Sequence, residues 1–312
     1  MNCLSKPLVL VLTGAMLHLG AVAAPDVAAL TFINGLPFVD VKVGATTARM
    51  MIDSGGALGI SLPQATVRAS GSVTLLGSTT RFSDLHRKVF EVQNLLARQV
   101  VIGSTQLKPV EGRIHTQWGG APEGPEAELT KARQAGAIGL AAFGGRPLMF
   151  DYALGRLVIY ASGEGPQAGH AGWHALRLEY GKEGPNITLR VNGKPLKFVL
   201  DTGASVNLVN TDVVTERTTA AQCRDGNAGS AACDPRTLSD VKDLTGRSLA
   251  PFQAERAKLN GAPFDGILGA PFFHQHRVLI DLAAHRLLIA APTVAPVAAP
   301  TGVGRIEPPA TR

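Results

Sequence analysis

Aromatic side chains make up only 5% of this 312-residue chain, and no stretch of it shows long helical periodicity. Short Val, Ile and Leu runs broken by Gly, Pro and Asn recur instead, which argues for mostly β structure with a few short helices. The 35 glycines and 20 prolines suit many turns, and 45% apolar residues are enough to build real cores. There is no G-x-S-x-G nucleophile elbow and no G-x-x-x-x-G-K-[ST] phosphate loop, so the two commonest motif-defined enzyme classes are removed. Basic residues exceed acidic ones for a net charge of +6 and a pI near 9.4. They are scattered, however, with Arg87-Lys88 as the longest basic run and no aromatic-basic interleaving. Nucleic acid is therefore not expected as a partner, while attraction to an anionic cell envelope stays open. His274 and His276 would share one face of a strand, yet no cysteine or carboxylate cluster completes a ligand set with them. Neither a metal nor another cofactor is expected.

Long apolar runs are also scarce. The stretch from Leu8 to Leu19 follows Lys6 and leads to Ala21-Val22-Ala23, the order of parts in a signal peptide spanning 1–23 and cleaved after Ala23. It is short for a spanning helix, and no other segment could cross a bilayer, so an exported protein, periplasmic or secreted, without stable membrane insertion is expected. Of three cysteines, Cys3 leaves with the leader, and Cys223 and Cys233 lie in the Gly/Ala/Asn-rich segment from Ala221 to Pro235. In an oxidising compartment they are expected to close a small disulfide loop, with two free surface thiols as the alternative. The segment 292–312, rich in Pro, Ala, Thr and Val, reads as a disordered tail.

The informative presence is a pair of turns, Asp53-Ser54-Gly55 and Asp201-Thr202-Gly203, each closing an apolar run, Met50-Met51-Ile52 and Phe198-Val199-Leu200. A single Asp in a turn caps its own backbone, but here the context repeats. A shift of 148 positions lays Val39, Val41, Lys42 and Val43 on Ile187, Leu189, Arg190 and Val191 without a gap. A shift of 130 aligns Ile138-Gly139 with Leu268-Gly269, then Leu148–Tyr152 with Val278–Leu282 and Arg156–Ile159 with Arg286–Ile289. The first copy thus holds 18 extra residues between its two blocks. Duplication on this scale predicts two copies of one supersecondary unit, each ending in a hairpin. Asp151 and Asp281 also repeat, just before hairpin turns, and are read as turn residues.

These motifs resemble the pepsin and retropepsin aspartic proteases over roughly residues 28 to 290, as a two-lobed single chain of the bacterial exported type. The resemblance implies an all-β fold of two pseudo-twofold-related lobes with short helices, an N-terminal lobe over 24–163 and a C-terminal lobe over 164–291. It implies Asp53 and Asp201 as a catalytic carboxylate pair, supported by Ser54, Gly55, Thr202 and Gly203. Ser54 and Thr202 are expected to reach across to the opposite loop's backbone, and Ile138, Gly139, Leu268 and Gly269 to pack beside the Asp loops. Two facing carboxylates share one proton, so one can activate a water while the other donates to a peptide carbonyl.

The implied function is an aspartic endopeptidase acting on a peptide or protein in extended conformation. No dimer is needed to assemble the site, and few residues precede the first copy, so direct folding to an active form is expected. Two departures from the family pattern stand out. Gly56-Ala57 follows the first Asp turn where relatives carry Ser, Ala or Thr, which implies thinner hydrogen-bond support around Asp53. The expected flap segment, roughly Gly71 to Phe82, has no Tyr, so the flap would be built on Gly71 and Gly77, or the insert holding His115, Trp118, Gly119 and Gly120 would cover the cleft. These departures favour the alternative, a non-catalytic peptide-binding protein that retains the fold.

Overall fold

The computed structural model describes residues 24–56, 59–83, 89–116, 126–213, 235–259 and 261–292. The expected signal peptide over 1–23, Ala57, Trp118-Gly119-Gly120, the cysteines Cys223 and Cys233 with their expected disulfide, and the tail beyond residue 292 lie outside the described residues. What is described is mostly β, arranged as one sheet for each half and a third sheet shared between them.

Each half begins with an antiparallel hairpin, Leu36–Val43 with Thr46–Asp53 and Gly184–Val191 with Lys194–Leu200. The first strand alternates buried Val41 and Val43 with exposed Asp40 and Lys42, the pattern of a sheet with one wet face. The second strand ends in three buried apolar residues because its last turn of pairing lies inside the molecule. There a parallel strand joins it, Ala137–Gly139 in the first half and Gly266–Leu268 in the second. The pairs Met51↔Ala137 and Val199↔Ile267 are equivalent under the shifts of 148 and 130, so the internal repeat extends to sheet register. Antiparallel to these run Ile60–Leu62 and Leu208–Asn210, flanked by Val110–Ile114 and Phe252–Ala257.

Six strands from both halves form the shared sheet in the order Asp26–Ala29, Arg156–Ile159, Leu148–Asp151, Arg277–Asp281, Arg286–Ala290, His174–Arg177. Its centre is the antiparallel pair Met149↔Leu279, residues that the internal repeat also makes equivalent, so the pseudo-twofold axis passes between them. Period-two alternation sends Phe150, Leu157, Val278, Ile280 and Leu287 into the main core. Met149, Val158, Leu279 and Leu288 point the other way, beneath Trp173 from the segment linking the halves. Asp151 and Asp281 sit at the hairpin turns: each accepts a backbone N–H, from Leu154 at 3.3 Å and Ala284 at 3.0 Å, and pairs with Arg156 or Arg286.

Among the described residues two features break the symmetry. Between its repeated blocks the first half carries a long hairpin, Val73–Ser83 with Val89–Ala97, and the helix Glu126–Arg133. Gly71 and Gly77 do not form the hairpin tip: Gly71 caps the helix Gln64–Ser70, and Gly77 lies at an irregularity between Leu75 and Thr79. His274 is on the helix Ala270–Gln275 rather than on a strand, because Pro271 after Gly269 starts a helical turn and buries Phe272 and Phe273. His274 is exposed against Phe32 and Tyr152, and His276 lies over Phe272 with its Nδ1 at 3.1 Å from that residue's carbonyl.

Phe150 is fully buried in the shared sheet, edge-on to Phe273 at 5.5 Å. Phe150→Ala is expected to lower unfolding free energy by about 3–5 kcal/mol in chemical denaturation.

Candidate active site

The two Asp turns meet at the pseudo-twofold axis and are held by four reciprocal hydrogen bonds. The Ser54 N–H donates to Thr202 Oγ1 and the Thr202 N–H to Ser54 Oγ, both at 2.9 Å. Each hydroxyl then donates to the strand end of the opposite half, Ser54 to the Leu200 carbonyl at 2.8 Å and Thr202 to the Ile52 carbonyl at 2.7 Å. Both side chains are fully buried. A hydroxyl is the group that can accept and donate at once at this size, which is why a Ser or Thr is needed in each turn.

Behind the turns lie the parallel strands. Ile138 and Leu268 are fully buried beside the Asp-bearing strands, and the Asp201 N–H donates to the Leu268 carbonyl at 3.0 Å. Gly269 is required by proximity, since a Cβ there would fall 2.3 Å from the Val206 carbonyl oxygen and 2.6 Å from that of Ala204. The Gly139 N–H is satisfied by the Gly59 carbonyl and the Gly269 N–H by Asn207 Oδ1, a side chain in place of a backbone. Gly55 is a second place where no side chain fits: a Cβ would lie 2.5 Å from the Asp201 carboxyl carbon.

The carboxyl groups of Asp53 and Asp201 hydrogen-bond to each other. Both are closely surrounded by protein yet keep a partial opening to the cleft. Burial pushes the Asp53 carboxyl above its ordinary range, opposed by N–H groups of Gly56, at 3.0 Å, and Gly55. Asp201 is pushed up to about 7 by burial and by the neighbouring Asp53 charge, opposed by the Gly203 N–H at 2.8 Å. The Asp53 loop therefore supplies more backbone donors than the Asp201 loop, the reverse of the thinner support expected from Gly56. Without a bulky side chain the Gly56 turn brings its N–H onto Oδ1. The extra backbone donor favours the anionic form of Asp53 over that of Asp201.

Three neighbours complete the surroundings, of which Arg133 and Arg113 were not singled out in the sequence and His115 was named only as part of the insert expected to cover the cleft. Arg133, at the end of the helix in the first-half insert, donates from Nη2 to the Gly203 carbonyl at 3.2 Å and favours the anionic form of both aspartates. Arg113 lies on the strand Val110–Ile114, with its guanidinium carbon 3.7 Å from the centre of the Phe82 ring on the long hairpin. His115 follows on that strand, its Nδ1 3.1 Å from Ser61 Oγ, and burial with the Arg113 charge lowers its pKa to about 4. Arg113, Ser61, Ile60, Gly56 and Asp53 line a small cavity of about 30 Å³ that opens to solvent. A signal for Arg113 exists: Arg256 holds the same register position in the second half, opposite Val209 as Arg113 is opposite Ser61. Their separation of 143 matches neither repeat shift, because the connecting segments differ in length. Among the described residues no cluster of His, Cys, Asp and Glu is arranged to hold a metal.

Residues 187–272 match the family model described as aspartyl protease, a span that includes Asp201, Thr202, Gly203, Leu268 and Gly269. Comparison with curated proteins finds no match.

Ser54→Ala removes one acceptor and one donor from a fully buried set and leaves the Thr202 N–H and Leu200 carbonyl unpaired. A loss of about 2–4 kcal/mol in denaturant unfolding is expected. A second outcome concerns pH. Folded Asp201, with its pKa raised to about 7, keeps a proton that the unfolded chain releases near pH 4. Its contribution to stability therefore falls as pH rises between those values. Thermal unfolding from pH 4 to 8 should show wild type losing on the order of 5 °C relative to Asp201→Asn across that window.

Proposed function

We propose that the chain is an aspartic-type endopeptidase. The observation that carries this reading is the meeting of two carboxyl groups from equivalent turns of the two halves, which are locked by reciprocal Ser54 and Thr202 hydrogen bonds, at the opening of a cleft. The match of the second half to the aspartyl protease family model supports it, and so does the equivalence of the first half in register.

In this reading a water bound between the carboxyl groups gives its proton to the Asp53 carboxylate as its oxygen adds to the scissile carbonyl carbon. Asp201 donates its proton to the carbonyl oxygen, so the carbon–oxygen π bond opens to a neutral diol without charge separation. On collapse, Asp53 passes the proton it took to the leaving nitrogen as the carbon–nitrogen bond breaks, while Asp201 takes the proton of one diol hydroxyl as the carbonyl reforms, and the dyad returns to its singly protonated state. No covalent intermediate with the protein forms. The Gly55 and Gly56 N–H groups hold Asp53 in the orientation needed to take the first proton. Reciprocal bonding of Ser54 and Thr202 fixes the carboxyl separation without any side chain of the dyad having to bear it.

The substrate is an extended peptide or unfolded protein segment, laid between the halves and paired by backbone hydrogen bonds. The long hairpin takes the place of a cover: Phe82 and Phe90 stack at 5.2 Å on its paired strands, and Arg113 ties Phe82 to the cleft wall. Such a contact contributes about 0.5–2 kcal/mol, weak enough to release when substrate enters. Both aspartates come from one chain, so one copy is sufficient, and the leader-like segment 1–23 favours work outside the cytoplasm.

Hydrolysis of a reduced, unfolded protein followed from pH 3 to 9 tests the reading. Wild type should cleave, with activity declining as pH rises through about 7, where Asp201 loses its proton. Asp53→Asn and Asp201→Asn should each lower the rate by about 10³-fold or more. Equal residual activity in all three proteins would overturn the peptidase in favour of a peptide-binding protein.

A further inference from the structure

We propose that Arg113 forms an anion-binding subsite beside Asp53, so that the extended peptide carries an acidic side chain at one fixed position near the scissile bond. The inference rests on the peptidase reading for the path of the peptide, and it adds the class of substrate.

The strand Val110–Ile114 places Arg113 between Ser61, on the parallel neighbour, and Asn94, on the long hairpin. Its side chain is partly buried and its guanidinium lies against the Phe82 ring. Stacking occupies a face of that planar group and leaves its edge, with five N–H donors, directed elsewhere. Among the described residues no acceptor takes a hydrogen bond from Arg113 and no carboxylate lies within ion-pair distance of it. The group lines the small cavity beside Asp53, which opens to solvent, so the carboxylate end of a side chain can approach it from outside.

The neighbouring polar groups do not compete for such a ligand. His115 is bonded to Ser61 and is held neutral above about pH 4, so it adds no charge to this wall. Arg133 donates to the Gly203 carbonyl on the other side of the dyad. Asp53 lies near enough to favour the Arg113 charge without pairing with it. A cation with unused donors, shielded by an aromatic ring and facing a cavity, suits a carboxylate, which can accept two parallel N–H bonds. An apolar side chain there leaves the donors desolvated, and a lysine or arginine is repelled. The excess of basic residues over the whole chain draws acidic peptides in the same sense.

A chymotryptic peptide mixture digested by the protein, with cut sites mapped by mass spectrometry, tests the subsite. Wild type should show Asp and Glu enriched by about tenfold or more at one position relative to the cuts. Arg113→Gln should erase the enrichment, and Arg113→Glu should replace it with Lys and Arg at the same position. A role confined to packing against Phe82 would slow cleavage without inverting the preference, and that result overturns the subsite. So does a wild-type profile with no acidic enrichment. A second arm immobilises the Asp201→Asn protein and sequences the peptides it retains. Retention enriched in Asp and Glu, and lost on adding Arg113→Gln, supports the subsite even if wild type cuts nothing, in which case only the peptidase reading fails. Retention without acidic enrichment, or no retention, overturns the subsite.

Discussion

The reciprocal bonds between Ser54 and Thr202 are the constraint on which the rest of the site depends. Two strands from different halves end at the same point, and each end leaves a carbonyl, of Ile52 and of Leu200, facing the other half in a buried setting. Without a partner these groups would oppose the approach of the halves. The two hydroxyls satisfy both carbonyls and both turn N–H groups at once, so contact between the halves becomes favourable only at one separation and one register. The same contact presses Gly55 against the Asp201 carboxyl group, which allows two carboxyl groups to meet.

Near-symmetry in the scaffold is combined with inequality in its charges. Strand register around the dyad is the same in both halves, down to the parallel pairs behind each Asp. Yet Asp53 receives N–H groups from Gly55 and Gly56, whereas Asp201 receives one from Gly203. Two identical carboxyl groups would share their proton evenly; unequal donors decide which gives it up first. The first-half insert adds to the inequality, since its helix delivers Arg133 to the Gly203 carbonyl and its hairpin delivers Phe82 to Arg113.

Much of this was legible in the residues. The repeat at two constant shifts located both Asp turns, the glycine-bearing strands behind them and the terminal hairpins of each half, because hydrogen-bonded register forbids insertions within a paired segment. It could not locate Arg113, Arg133 or Phe82, which lie in segments whose lengths differ between the copies. The His274 helix was hidden for another reason: a six-residue helix is too short for periodicity to separate it from a strand. Expected thin support at Asp53 failed because a missing side chain was read as a missing donor, while the backbone N–H of Gly56 was free to turn inward.

Local sequence determined the mostly β character, the two aspartates, the need for a hydroxyl and a glycine after each, and the equivalence of the halves. Each follows from period-two burial, turn chemistry and a repeat, all of which act over a few residues at a time. Tertiary structure decided how unequally backbone donors are shared between the two carboxyl groups and where the cations stand around them. These depend on distances between groups far apart in the chain and on how far each is removed from water, and neither quantity exists until the halves have packed together.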